Sequence, residues 1–187
     1  MNDFTSQLSQ SWHESRQPYW DNIYHQYFPN MVSQSLFDND MTAQKNGIDR
    51  MIYMKNGDRV AIDEKVRYET YNDILIEESS SVEYHTPGWI EKDQWVDYIS
   101  YVFKQTGECN IYPTYILKKA WQQNKHEWKH KYKKVEAVNN GYTTVSYPIP
   151  KEILNAAIVN ASVVYTIIPT ASLADEKTIM RNKLKIN

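Results

Sequence analysis

Cys109 is the only cysteine in 187 residues. It has no partner for an internal disulfide, so the expected setting is a reducing one, the cytoplasm. Glycine and proline are scarce as well, at 5 and 7 residues, which argues against a long low-complexity or disordered stretch. No apolar run approaches the roughly 20 residues that span a bilayer, and no membrane partner is expected. The opening MNDFTSQLSQSWHESR lacks the basic start and apolar stretch of a signal peptide. Charge of one sign is missing too. With 21 basic against 23 acidic residues the net charge is -2, which excludes a wholly basic surface but leaves room for a local basic groove. The glycine-rich loops G-x-x-x-x-G-K-[ST] and G-x-G-x-x-G are absent, as is the G-x-S-x-G elbow. These absences argue against a nucleoside-triphosphate enzyme, a dinucleotide enzyme and an elbow-type hydrolase.

What the chain has is aromatic bulk: 15 Tyr, 6 Trp and 4 Phe supply buried area that a modest 41% hydrophobic content would otherwise lack. Its length suits one domain. Pro18 opens an expected helix whose apolar face is Tyr19, Ile23 and Tyr27, closed by Pro29 and Asn30. Two strands, 49 to 54 and 59 to 67, flank Asn56-Gly57, the strongest short hairpin signal. Further strands are expected at 73 to 80 and 95 to 103, with a turn at 86 to 89. Pro113 marks a short edge strand. Residues 114 to 135 read as a helix, because Leu117, Trp121, Trp128, Tyr132 and Val135 fall within about 60° at helical spacing. A loop around Gly141, a helix at 150 to 159 and a strand at 162 to 168 follow, then a terminal helix or tail. Helices around an antiparallel-led sheet give the class α/β (α+β).

The chemistry concentrates in GIDRMIYMKNGDRVAIDEKVR, residues 47 to 67. Alternation along 59 to 67 turns Val60, Ile62, Glu64 and Val66 to one face and Ala61, Asp63, Lys65 and Arg67 to the other. The hairpin sets Asp49 on the strand next to Asp63 and Lys65, and the cation reading requires Asp49 and Asp63 to face the same side. Two carboxylates there suit one hard cation, Mg²⁺ or Mn²⁺, which takes oxygen ligands. Lys65 adds a fixed positive charge for a developing phosphorane. A solvated sheet face with a surface Asp–Lys pair is the plain alternative.

On these residues the chain resembles the restriction-endonuclease-like nucleases, the PD-(D/E)xK superfamily. Asp49 matches the first acid and Asp63-Glu64-Lys65 the (D/E)-x-K tripeptide, while Ile48 stands where the family often has proline. The likeness is closest to compact members found in phages and mobile elements, in which a GWI turn and an aromatic DYI strand follow. It implies a central mixed sheet flanked by helices, residues 18 to 135 as the nuclease core and 136 to 187 as a C-terminal extension of the single domain 1 to 187, with 1 to 15 loosely held. It further implies Asp49, Asp63 and Lys65 as catalytic residues. Asp49, Asp63 and the Glu64 carbonyl would be the metal oxygens, and the activity would be phosphodiester hydrolysis in nucleic acid, DNA first. The family often adds an acid from the first helix; Glu14 and Asp21 are not assigned, and Glu77 or Glu78 is left open. A homodimer is compatible with the sequence.

Residues 117 to 134 carry seven lysines and one acid, Glu127. Lys118, Lys119, Lys125, Lys129 and Lys133 lie off the apolar stripe and are the expected phosphate contacts. Within the same helix His126-Glu127-Trp128-Lys129-His130 matches the zinc-peptidase spelling H-E-x-x-H, but surrounding cations oppose Zn²⁺ and no third ligand motif follows. The remaining alternative is a catalytically inactive nuclease fold that only binds or assembles.

Overall fold

The computed structural model describes residues 14–37 and 40–163. The segment expected to be loose, apart from Glu14 and Ser15, lies outside them, as do the expected strand at 162 to 168 beyond Val163 and the terminal stretch. The elements run α1 (Tyr19–Tyr27), β1 (Met31–Leu36), α2 (Met41–Lys45), β2 (Arg50–Met54), β3 (Arg59–Arg67), β4 (Asp73–Ser81), β5 (Thr86–Pro87), β6 (Tyr98–Phe103), β7 (Glu108–Pro113), α3 (Thr114–Lys131), β8 (Val135–Val138), β9 (Thr143–Pro150) and α4 (Lys151–Ser162). The class is α+β, as expected. No helix among the described residues is long and apolar enough to cross a membrane.

The first sheet is mixed and runs β1-β2-β3-β6-β7. Its β2–β3 hairpin turns at Asn56-Gly57, where Gly57 takes φ 90°, a conformation costly for any residue with a Cβ. β6 then lies parallel to β3, with Asp63 opposite Ile99 and Lys65 opposite Tyr101. β7, ending in Pro113, is an edge strand, as is β1 at the other side. The second sheet, β5-β4-β9-β8, takes β4 away from the hairpin that precedes it and pairs it with β9 near the end of the described chain.

Two cores sit on opposite faces of the first sheet. On one face Trp20, Tyr24 and Phe28 pack over Ile52, Ile62 and Val102. The buried face of α1 is therefore one residue along from the expected Tyr19, Ile23 and Tyr27 stripe, and Tyr27 is exposed. Both stripes are apolar; the sheet takes the one with the larger rings, whose polar ends are bonded: Trp20 Nε1 donates to the Glu14 carbonyl at 3.0 Å, and Tyr24 Oη to Glu64 at 3.0 Å. Half-buried Cys109 packs against this core, and burial pushes its thiol up to about 12, so it is an inert hydrophobe at neutral pH.

The second core joins Ile99, Tyr101 and Phe103 of β6 to Ile74 and Ile76 of β4, Ile149 of β9, Leu117 and Trp121 of α3 and Leu154 of α4. The expected stripe of α3 is buried at Leu117, Trp121 and Trp128, but the helix stops at Lys131. Tyr132 turns extended and Val135, expected on the helix, opens β8 with its side chain exposed. β-branched Val135 and Val138 suit the strand they form against β9.

Candidate active site

Asp49 precedes β2 in a loop locked to β3. Its N–H donates to the Ile62 carbonyl at 2.9 Å, its carbonyl accepts from Phe37 N–H at 2.9 Å, and its Oδ2 accepts from Glu64 N–H at 2.7 Å. Asp63 and Lys65 leave the same face of β3, two residues apart, toward the second sheet. Asp63 is 1% exposed, so this is not the solvated sheet face of the plain alternative. Its Oδ1 accepts from Lys65 Nζ at 2.5 Å and its Oδ2 from Gln94 Nε2 at 3.0 Å.

The electrostatics follow from this crowding. Burial, and then the negative charge of Asp63, hold the Asp49 carboxyl well above the usual carboxylate range. Burial alone would pull the Lys65 ammonium down, but Asp63, Asp49 and Glu77 together outweigh it and raise its pKa, so Lys65 stays protonated. Glu77, on β4, is raised by burial against the pull of Lys65 and of a backbone amide bond from Trp89. Of the two acids left open, Glu77 is the one whose charge acts on Lys65 and Asp63, whereas Glu78 leaves β4 toward Lys129, 2.5 Å away. A bulge in the β4–β9 register between Glu77 and Ser79 breaks simple alternation here.

A loop from 88 to 97 closes the site. Gly88 approaches β4 so tightly that a Cβ there would lie 2.6 Å from the Glu77 carbonyl carbon. Glu91 ties the loop to α3 by accepting from Trp121 Nε1 at 2.7 Å, Gln122 Nε2 at 2.8 Å and Lys125 Nζ at 2.9 Å. Trp95 N–H donates to the Asn46 carbonyl at 3.0 Å, and Asp97 exchanges bonds with the Ala61 backbone. Gln94 is thus fixed between the Asp49 loop and β3. Its neighbour Gly47 has φ 76°, and a Cβ there would meet Gln94 Nε2 at 2.5 Å. Sequence gave no sign of Gln94, because a glutamine in an irregular loop carries no spacing to read.

The remaining expected residues go elsewhere. The Glu64 side chain is on the α1 face, 2.5 Å from Arg50 Nε and accepting from Tyr24, so only its backbone belongs to the site. Glu14 is buried beside Lys104 at 2.5 Å, with Tyr19 and Tyr68 donating at 3.3 Å, and Asp21 bonds Gln34. Of the expected phosphate contacts, Lys125 and Lys129 are held by Glu91 and Glu78, Lys119 donates to the Ala161 carbonyl at 2.7 Å, Lys118 donates to the Lys92 carbonyl, and Lys133 is exposed. The bond to the Lys92 carbonyl sets Lys118 against the 88 to 97 loop, and burial lowers its pKa while Asp93 and Asp63 act against it. His126 and His130 stand with ring centroids 4.8 Å apart on the exposed side of α3. Among the described residues no three His, Cys, Asp or Glu side chains gather into a metal-holding group. No family model matches the chain, and no match is found among curated proteins or solved structures.

Proposed function

We propose that the chain is a metal-dependent nuclease of the restriction-endonuclease-like type, acting on DNA in the cytoplasm. One observation carries the reading: Asp49 and Asp63 are brought together in a buried site with Lys65 fixed on Asp63. The donor set fits a hard cation: two crowded carboxylates, of which Asp49 has its pKa raised by burial and by Asp63, plus a buried amide oxygen of Gln94 that has no hydrogen-bond partner. Asp49 and Asp63 would hold Mg²⁺ or Mn²⁺. When bound, such an ion supplies Lewis-acid charge for a phosphodiester oxygen.

The chain's own residues do the rest. Glu64 N–H orients the Asp49 carboxylate through its 2.7 Å bond. Lys65 is charged at neutral pH and sits where negative charge builds on the reacting phosphate. Burial of Asp63 keeps bulk water from screening these interactions. Lys118 supplies a cation beside the site, and Lys133 offers a further one on the surface. Trp95, next to Gln94, is 67% exposed and presents a ring on which a base can stack.

A cleavage assay tests this directly. Supercoiled plasmid, linear duplex and branched DNA are offered with Mg²⁺, Mn²⁺ or EDTA. Cutting that needs the metal and disappears in both Asp63→Ala and Lys65→Ala is the expected result. A folded protein that cuts none of the substrates, or variants that cut like the parent, refutes it. The second reading, an inactive binding module, is favoured by one feature: both oxygens of Asp63 already have internal donors.

A further inference from the structure

We infer that Gln94 is a ligand of the site, its side-chain carbonyl oxygen binding the divalent cation together with Asp49 and Asp63. This rests on the nuclease reading and extends it to a residue outside the D…D-x-K pattern.

Three observations carry the inference. Gln94 Nε2 donates to Asp63 Oδ2 at 3.0 Å, which fixes the direction of the amide. Turned over, its oxygen would face a carboxylate oxygen, two acceptors with no proton between them. In the orientation present, Oε1 is buried and has no hydrogen-bond partner. A buried acceptor left without a donor is costly, and natural proteins keep few of them. An oxygen of this kind beside a carboxylate is the neutral ligand that Mg²⁺ and Mn²⁺ accept alongside charged ones. Finally, the surroundings are shaped to hold Gln94. Gly47 leaves the space that a Cβ would take from Nε2, and Trp95 N–H on the Asn46 carbonyl clamps the loop to the strand of chain leading to Asp49. The neighbouring stretch of loop alternates: Gln94 turns inward, Trp95 outward, and Val96 is buried.

The amide supplies an oxygen beside the carboxylates of Asp49 and Asp63. Gln94 adds an oxygen without adding charge, as a neutral ligand does beside charged ones.

Titration calorimetry with Mn²⁺ on the full chain tests the assignment, with thermal unfolding recorded for every variant. Gln94→Leu keeps the volume and removes both polar atoms; the expected result is Mn²⁺ affinity lower by roughly tenfold to a hundredfold with the fold retained. Gln94→Glu keeps a ligating oxygen and loses the donor; its expected affinity equals or exceeds that of the parent. Parent-like affinity in Gln94→Leu overturns the inference. So does equal weakening in both variants, because that pattern belongs to a residue that only positions Asp63. Should Gln94→Leu fail to fold, Gln94→Glu decides, and an affinity below the parent's counts against the ligand role. Asp63→Asn separates the two levels: a parent that binds no Mn²⁺, or that binds it as well after Asp63→Asn, removes the nuclease reading itself, whereas affinity lost in Asp63→Asn but untouched by Gln94→Leu removes this inference alone.

Discussion

At Asp49 a carboxylate rests against the backbone of β3 with a second acid beside it, and its pKa is raised first by burial and then by Asp63. The sign of the linkage follows. The folded chain binds a proton that the unfolded chain has released, so stability falls as pH rises from the ordinary Asp range toward the raised value. Asp49→Asn keeps an acceptor for Glu64 N–H and removes the buried charge. In EDTA its thermal midpoint is expected to exceed the parent's at pH 7 and to match it in strong acid; a lower midpoint at pH 7 contradicts the assignment of strain to this residue. Asp49, Asp63 and Lys65 were legible in the sequence because hairpin and alternation are local rules. Glu77 against Glu78 was not, since a bulge set by pairing with β9 decides which of them turns inward. The Glu64 side chain was legible as lying on the opposite face, but not its partner, because Arg50 reaches it from across the hairpin.

Among the elements, α3 and the loop before β6 hold each other through Glu91. Its three bonds go to Trp121, Gln122 and Lys125, and Trp121 is wholly buried. Glu91→Ala leaves the Trp121 indole N–H without its acceptor, for an expected loss of roughly 1–3 kcal/mol in urea unfolding. Burial raises the Glu91 pKa, but bonds from Trp121, Lys125 and Gln122 lower it further, and the net shift is downward. Its contribution is therefore present above the ordinary Glu range and is lost as pH falls through the depressed value, so parent and variant converge in acid. The edge strand at Pro113 and the stripe of α3 were readable from composition and spacing. β1, β8 and β9 were not: Pro148 and Pro150 mask β9 as loop, and β9 pairs with β4, which lies far away in sequence.

For the whole molecule, the question is how much positive charge remains for a polyanion. Carboxylates hold Lys125 and Lys129, while Lys133 stands exposed. In DNA-binding titrations Lys133→Ala is expected to reduce the slope of log K against log salt by about 1, as for one phosphate contact, with Lys129→Ala changing it less. Equal slopes for parent and Lys133→Ala remove this lysine from the interface. Among the described residues carboxylates also hold Lys65, Lys104, Lys134 and Lys151.

The departure of β4 into the second sheet also has a meaning for synthesis. Asp49, Asp63 and Lys65 leave the ribosome together, yet β4, which carries Glu77, is flanked by β9, made of residues 143 to 150. The hairpin is ready once Arg67 has been made. The strand opposite it waits for a partner more than sixty residues further on, and α3, which holds the 88 to 97 loop through Glu91, emerges only shortly before that partner. The site is thus complete only once β9 has been made, and a ribosome-bound intermediate carries the acids before it carries the walls that bury them.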